Sequence, residues 1–289
     1  MFALFADTDM DLTPEEAKQL GCHLISMPYS IDGKTIYPYE DFDVFDGKAF
    51  YDLLRAGTIP TTSALGKEKY IAYFEPYFAQ GQDILYVHFS RAMSGTFDSM
   101  DEAVMELRTK YPERRFYEVD TKGITTISYA IAKEIGDLYV AGKSIEDILA
   151  WAEREVDRFA LYFFADDLKF FKHSGRVSGL AATMGTMLGV RPIISMNADG
   201  QMVSVGKERG RANAIDCLLR YVEELGDEVT KHRVIVGHTD ADELADEVVA
   251  RLKEKFGDAV CVEKKIVNPT AGSHCGPNGV GICFHAVHR

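Results

Sequence analysis

Two hydroxyl-rich segments, Thr61-Thr62-Ser63 and Ser94-Gly95-Thr96, and one histidine, His274, are the residues of this chain best suited to holding an oxyanion. A carboxylate or phosphate needs several donors, and clustered hydroxyls supply them without burying a second charge. Ser94-Gly95-Thr96 lies inside HFSRAMSGTFDS, residues 88–99, where an apolar run ends and a helical pattern begins. A helix start offers unpaired backbone N–H groups and the positive end of its dipole. Gly95 has no side chain to keep an anion from the backbone. Each segment also has a plainer explanation. Thr61-Thr62-Ser63 follows Pro60 and precedes a helix expected at 67–79, so its hydroxyls could simply cap that helix. The Ser94 segment could equally be a capped helix without a ligand. His274 sits in a glycine-rich stretch, Gly272 to Gly279, read as a loop. A histidine there can donate to an anion or shuttle a proton, or it can be merely solvated. The hydroxyl clusters serve one anion only if the fold brings them together.

Other tempting chemistry falls away. Gly136 to Gly142-Lys143-Ser144 resembles a phosphate-binding loop, but five residues separate its glycines instead of four. There is no G-x-S-x-G elbow, H-E-x-x-H pair or G-x-G-x-x-G fingerprint. The five cysteines are scattered without C-x-x-C spacing, so neither a disulfide framework nor a zinc site is expected, and no metal or other cofactor. Asp7, Asp9 and Asp11 would share one side only if the first strand continued through them. Thr13-Pro14 argues against that, and a turn-and-cap role is the expectation. Lys172 through Arg176 and Lys207 through Arg211 put basic groups on glycine-bearing turns. They suit a phosphate or an acidic partner, or are ordinary solvated charge.

The elements that must position these residues alternate along most of the chain. Its 289 residues, 46% of them hydrophobic, suggest two domains. An apolar run at 2–6, a helix from Pro14, extended segments at 22–38 broken at Asp32-Gly33, a helix from Asp46 to Ala56, the strand 84–89 and a helix at about 98–110 set the pattern. A strand at 115–119 and helices at 125–141 and 145–157 complete it. This order implies a mostly parallel sheet covered on both faces, an α/β domain over 1–157. From residue 158 hairpin and crossover connections mix. Strands at 159–164, 191–196, 201–206 and 233–238, helices at 180–188, 211–225 and 241–255, and two closing strands make an α+β domain over 158–289.

The net charge of −13, from 32 basic and 45 acidic residues, opposes nucleic acid and anionic membranes as partners. No apolar stretch reaches the roughly 18 residues that span a bilayer, so membrane insertion is not expected. The opening MFALFADTD lacks a basic segment and meets Asp7 early, which reads as a buried strand instead of a signal peptide; the cytoplasm is the expected location.

Taken together, the segments resemble the DegV family, bacterial fatty-acid-binding proteins that serve fatty acid kinase. The resemblance rests on Asp7-Thr8-Asp9-Met10-Asp11-Leu12, Pro60-Thr61-Thr62-Ser63, Ser94-Gly95-Thr96, Ser174-Gly175-Arg176-Val177-Ser178, Arg191-Pro192-Ile193, Lys207-Glu208-Arg209 and His274-Cys275-Gly276-Pro277. Each piece is short; their order across nearly the whole chain makes the set specific. It implies two α/β domains with a lipid in the cleft between them. It implies a carboxylate held by Thr62, Ser63, Ser94, Gly95, Thr96 and His274, and contact with the kinase or its phosphate by Arg176 and Arg209. The protein would then be no enzyme itself but would present a long-chain acyl carboxylate to a separate kinase subunit, which makes the acyl phosphate. Two departures stand out: Ala64 occupies a position where many members have glutamine, and Asn278 intervenes before Gly279 in the closing loop. Asparagine tolerates left-handed backbone, so the loop shape can survive.

Elementary energetics agree with a lipid. A buried methylene contributes roughly 0.8 kcal/mol, so a 16-carbon tail contributes on the order of 10 kcal/mol, and the head needs only orienting donors. Phe163-Phe164 and Leu180 to Leu188 could line the tail, or be ordinary core. Two other readings stay open. One is a hydrolase or transferase acting on a small carboxylate with Ser94 as nucleophile and His274 as base. The other is a lipid sensor without a kinase.

Overall fold

The computed structural model describes residues 2–166, 168–178 and 189–289. β1 (Phe2–Asp7) leads through a tight turn at Thr8–Met10 into α1 (Pro14–Gln19). That helix starts where Thr13 and Glu16 cap each other reciprocally and Pro14 takes the first helical position, where its missing N–H costs nothing. β2 (Cys22–Ile25) follows, then a hairpin of β3 (Tyr29–Ile31) and β4 (Lys34–Ile36). Asp32 and Gly33 turn it with φ of 51° and 78°, the left-handed pair that matches strand twist. Next come α2 (Gly47–Arg55), capped by Asp46, and the two-residue β5 (Thr61–Thr62). The first half continues with α3 (Lys67–Ala79), β6 (Asp83–His88), α4 (Thr96–Lys110), β7 (Phe116–Asp120), α5 (Thr126–Val140) and α6 (Ile145–Glu155).

The second half runs through β8 (Phe159–Ala165), α7 (Lys169–Ser174), β9 (Val177–Ser178), β10 (Val190–Met196), β11 (Met202–Arg209), α8 (Arg211–Leu225), β12 (Arg233–His238), α9 (Asp242–Phe256), β13 (Cys261–Ile266), α10 (Pro269–Cys275) and β14 (Gly279–His285). The expected helix at 180–188 lies outside the described residues. Among the described residues no helix is long and apolar enough to cross a membrane.

Three sheets organise the chain. β2-β1-β6-β7 is wholly parallel, as the nearly unbroken burial along β1 and β6 requires. β4-β3-β5 is small and antiparallel. The third has seven strands in the order β13-β12-β14-β8-β10-β11-β9, and mixes parallel and antiparallel pairs. The expected class, a parallel N-terminal sheet followed by a mixed C-terminal one, is what forms. The strands of the large sheet all come from residue 159 onward.

α5 joins the two halves. It packs against β8, β12 and β14 of the large sheet and against the Thr8–Met10 turn beyond β1. Nine of its residues are buried, as expected of a helix enclosed on most sides. One apolar core includes Leu4, Leu85 and Val87 of the parallel sheet, Ile127, Ile131 and Ile135 of α5, and Leu161, Ile235 and Cys283 of the mixed sheet.

Two local expectations change. Thr61-Thr62 pairs with β3 as an edge strand, and α3 begins at Gly66 with no side-chain cap. The hydroxyls are thus not spent on a helix start. The glycine-rich stretch read as a loop is helical through Cys275: Asn268 accepts from the Ala271 N–H and Pro269 takes the first position. The Asn-Pro pair was the start signal.

Candidate functional site

The carboxyl ends of β1 and β6 and the loop after β7 open on one side of the parallel sheet, where α/β folds bind ligands. β5 and α10 close that side. Together they enclose a polar pocket of about 250 Å³ lined by Thr62, Ser63, Ser94, Gly95, Thr96, His274, Arg176, Asp9 and Thr270, among others. Of the sequence candidates, Thr62, Ser63, Ser94, Gly95, Thr96, His274 and Arg176 meet here, while Thr61, exposed on β5, and Arg209 do not. Arg209 is exposed at the end of β11 and lines neither this pocket nor the cavity beside it.

α10 is fixed before it presents His274. Asn268 donates its backbone N–H and its side-chain amide to Asp11 Oδ1, both at 2.8 Å. The Thr270 hydroxyl donates to the Met27 carbonyl at 2.7 Å, and the Tyr51 hydroxyl to the Val267 carbonyl at 2.9 Å. Gly276 ends the helix at φ 69°, and a Cβ there would come within 2.2 Å of the Phe170 ring. Beyond it, Asn278 takes the left-handed conformation at φ 65°, so the loop shape survives the asparagine.

His274 Nε2 lies 2.9 Å from Thr62 Oγ1. Burial, then the nearby Arg176 and His173, push its pKa down to about 4. The ring is neutral at pH 7 and pairs with Thr62 as a neutral donor and acceptor. With Nε2–H donating, Thr62 accepts and turns its own hydroxyl proton elsewhere; with the other tautomer the roles reverse.

The Ser94 and Thr96 hydroxyls differ in task. Ser94 Oγ accepts the Thr96 N–H at 3.1 Å, a two-residue turn that leads into α4. Thr96 is buried, and its oxygen accepts the Leu65 N–H at 2.9 Å and lies 3.0 Å from the Tyr70 hydroxyl. Thr96 therefore ties the Thr62 segment to the Ser94 segment. Gly95 has an ordinary φ of −73°. Ala64 also lines the pocket.

The basic candidates divide. Arg176 is exposed at the pocket, donates to the Ser174 carbonyl at 2.5 Å, and forms no ion pair among the described residues. Arg191 and Arg211, by contrast, both pair with Asp166.

Reading the sequence missed Asp9 and Thr270. Asp7 and Asp11 do what was expected of them. Asp7 accepts the Asp9 N–H at 3.0 Å, the Phe89 N–H at 3.2 Å and the Tyr86 hydroxyl at 3.0 Å. Asp11 holds Asn268. Asp9, 5% exposed, sits in the Thr8–Met10 turn but its side chain caps nothing, and its Oδ1 is buried without a hydrogen-bond partner among the described residues. The three-aspartate spacing was the available signal. Sequence could not say which carboxyl would cap nothing.

Beside the polar pocket lies a narrow apolar cavity of about 60 Å³. Leu161, Phe163, Phe164, Phe171, Met202 and Val280 line it, while Met93, Ile124, Arg176 and His274 border both spaces. Phe163 and Phe164 stand where a tail-lining role would place them. The Leu180 to Leu188 segment lies outside the described residues. Among the described residues Ser94 is not bonded to His274, as a nucleophile and its base would be: His274 Nε2 bonds Thr62, and the hydrogen bond of Ser94 Oγ is with the Thr96 N–H.

Residues 1–287 match the family model "Uncharacterised protein, DegV family". A DegV domain-containing protein of Clostridium perfringens is 29% identical over 283 residues, covering 98% of this chain and 97% of its own. The crystal structure of DegV, a fatty acid binding protein from Bacillus subtilis, is 25% identical, covers 99% of each chain and superposes with a TM-score of 0.83. A stearic acid-binding protein from Eubacterium ventriosum is 20% identical, covers 99% of this chain and 98% of its own, and has a TM-score of 0.86. With the fold, the convergent hydroxyl loops and a family match across nearly every residue in agreement, the chain belongs to the DegV family.

Proposed function

We propose that this protein is a cytoplasmic fatty-acid carrier that presents the acyl carboxylate to a separate kinase subunit for acyl-phosphate formation. One observation carries the reading. A pocket lined by hydroxyls and a neutral histidine, with the cation Arg176 at its edge, borders an apolar cavity, with Met93, Ile124, Arg176 and His274 common to both. That is the shape of a site for an amphiphile with one oxyanion head. The tail supplies most of the affinity, because each buried methylene contributes roughly 0.8 kcal/mol. Thr62, Ser63, Ser94 and His274 orient the head. Thr96 holds the two hydroxyl loops in register. Binding of fatty acids by the Bacillus subtilis and Eubacterium ventriosum relatives supports the same assignment.

Arg176 supports the presentation step. It is an exposed cation without an ion-pair partner among the described residues, at the edge of the head pocket. A partner's phosphate or acidic surface would find it there. Arg209, away from the pocket, suits the partner surface only.

The test is extraction of the purified protein under denaturing conditions followed by mass spectrometry of the lipid fraction, with titration of the emptied protein. A co-purified long-chain acid, or tight binding on titration, is the expected result. Repeated preparations with no acyl ligand and no binding would overturn the carrier reading. Addition of a fatty acid kinase subunit and ATP then tests presentation: acyl phosphate forms only with both proteins present. Turnover of small esters by this chain alone, abolished in Ser94→Ala, would favour the hydrolase reading instead.

A further inference from the structure

The head-group reading uses hydroxyls and a neutral histidine, and leaves the pocket's one buried carboxyl unexplained. Asp9 sits in the turn beyond β1, with its backbone held at both ends. Its N–H goes to Asp7 Oδ1 at 3.0 Å and its carbonyl accepts the Thr125 N–H at 2.8 Å. Thr125 itself has a φ of 56°, sparsely populated for a β-branched residue. Asp9 is one of the residues lining the pocket that holds Thr62, Ser94 and His274, and its Oδ1 is buried with no hydrogen-bond partner among the described residues. Asp7 and the Oδ1 of Asp11 are committed to other partners, while Asp11 Oδ2, like Asp9 Oδ1, is buried without a hydrogen-bond partner among the described residues. Among the described residues no acidic, histidine or cysteine group is arranged to hold a metal ion.

The surroundings determine its charge state. Asp9 is 95% buried by the complement of its 5% exposure, and a buried carboxylate without a donor is strongly disfavoured. Burial first, then the charges of Asp7 and Asp11, hold its pKa well above the usual carboxylate range. The other ionisable groups that feel it are the buried Cys275 thiol and the Tyr70 and Tyr86 phenols. None of these supplies positive charge. Arg176 and His173 act on His274 instead. Asp9 thus favours its protonated form, and among the described residues its Oδ1 has no hydrogen-bond partner.

We propose that Asp9 is a further head-group residue, a protonated carboxyl that donates its O–H to the carboxylate of the bound fatty acid. The inference rests on the carrier reading and deepens it. An acid–carboxylate contact is a charge-assisted O–H···O⁻ bond, shorter and stronger than a neutral one. It adds a donor to a buried site without adding a cation. It also makes binding depend on pH: above the pH at which Asp9 ionises, the same side chain repels the ligand.

The experiment is titration of the lipid-free full chain with hexadecanoate, comparing wild type, Asp9→Asn and Asp9→Ala. Neither asparagine nor alanine can ionise; asparagine keeps a side-chain donor and alanine does not. Asp9→Ala is expected to bind about tenfold more weakly or worse, the scale of one hydrogen bond to a charged group. Asp9→Asn is expected to stay near wild type at neutral pH. Wild-type affinity should fall as rising pH ionises Asp9, and the ratio of wild type to Asp9→Asn isolates Asp9 from titration of Asp7, Asp11 and His274, which both proteins share. If Asp9→Ala does not fold, the pH-dependent ratio decides alone. Infrared spectroscopy supplies a second readout: a protonated carboxyl band absent in Asp9→Asn and shifted when hexadecanoate binds. Wild-type affinity in both variants, tighter binding in Asp9→Ala, or a ratio flat with pH would overturn the assignment while leaving the carrier reading intact. Failure of the wild type itself to bind hexadecanoate would sink the carrier reading instead.

Discussion

Thr62→Val is the substitution that best separates building the site from using it. Valine keeps the branched shape and the β-propensity that suits Thr62 to the edge strand β5, and removes only the hydroxyl. In the free protein the change breaks one 2.9 Å hydrogen bond with His274. Both partners are neutral at pH 7, because the histidine pKa is pushed down to about 4. A neutral bond contributes about 1 kcal/mol net, and Thr62 is only partly buried, so the apo protein should lose about that much or less. For a chain of this size that is a fall in Tm of roughly 2–4 °C. In the complex the hydroxyl also serves a charged carboxylate, where a hydrogen bond is worth about 1.5–3 kcal/mol, a weakening of about tenfold or more. The two effects separate in a thermal shift assay. At a ligand concentration about one hundred times the wild-type Kd, binding adds about 2.7 kcal/mol of stability; a tenfold weaker Kd leaves about 1.4. The ligand-induced shift should therefore roughly halve in Thr62→Val, on top of the small apo loss. An unchanged ligand-induced shift, with the entire loss already present in the apo protein, would refute the head-group role and leave Thr62 as a strut for His274.

Three further outcomes follow from the geometry. Ser94→Ala and His274→Ala should each weaken hexadecanoate retention by about tenfold while the far-ultraviolet circular dichroism stays native; normal retention in both removes the head-group assignment. Met93 borders both the polar pocket and the apolar cavity, so Met93→Trp should block long acyl chains while acetate and other short carboxylates keep their weak affinity, and equal loss of both would mean a general collapse. Asp11 has its pKa raised to about 7, mainly by burial. Its folded value lies above the unfolded one, so the folded state binds the proton more readily, and wild-type stability is lost as pH rises from the ordinary carboxylate range through about 7. Asp11→Asn keeps an oxygen to accept from Asn268 and should flatten that part of the curve in denaturant titrations at stepped pH; an unchanged slope would show that Asp11 is not the group responsible.

Much of the fold and part of the site could be read from residue order alone, for a physical reason. Short-range signals fix backbone conformation locally: the Thr13-Pro14-Glu15-Glu16 cap, the Asp32-Gly33 turn and the apolar runs of β1 and β6 all form where the sequence placed them. The hydroxyl loops and His274 were visible as candidate chemistry, though capping and solvation explained each of them as well on local grounds. The tertiary structure decided what depends on distant partners. It made Thr61-Thr62 an edge strand beside β3 instead of a cap. It spent the Thr96 hydroxyl on Leu65 and Tyr70. It kept Arg209 away from the pocket that Arg176 lines. It placed α5, sequence-adjacent to the parallel sheet, against the mixed one. Among three aspartates of identical chemistry, it gave partners to Asp7 and to Asp11 Oδ1 and left Asp9 at the polar pocket with its Oδ1 unpartnered among the described residues. Spacing along the chain sets which way a side chain leaves its own backbone. Only the packing of the other elements decides whether it meets a donor, another carboxyl, or the head of a ligand.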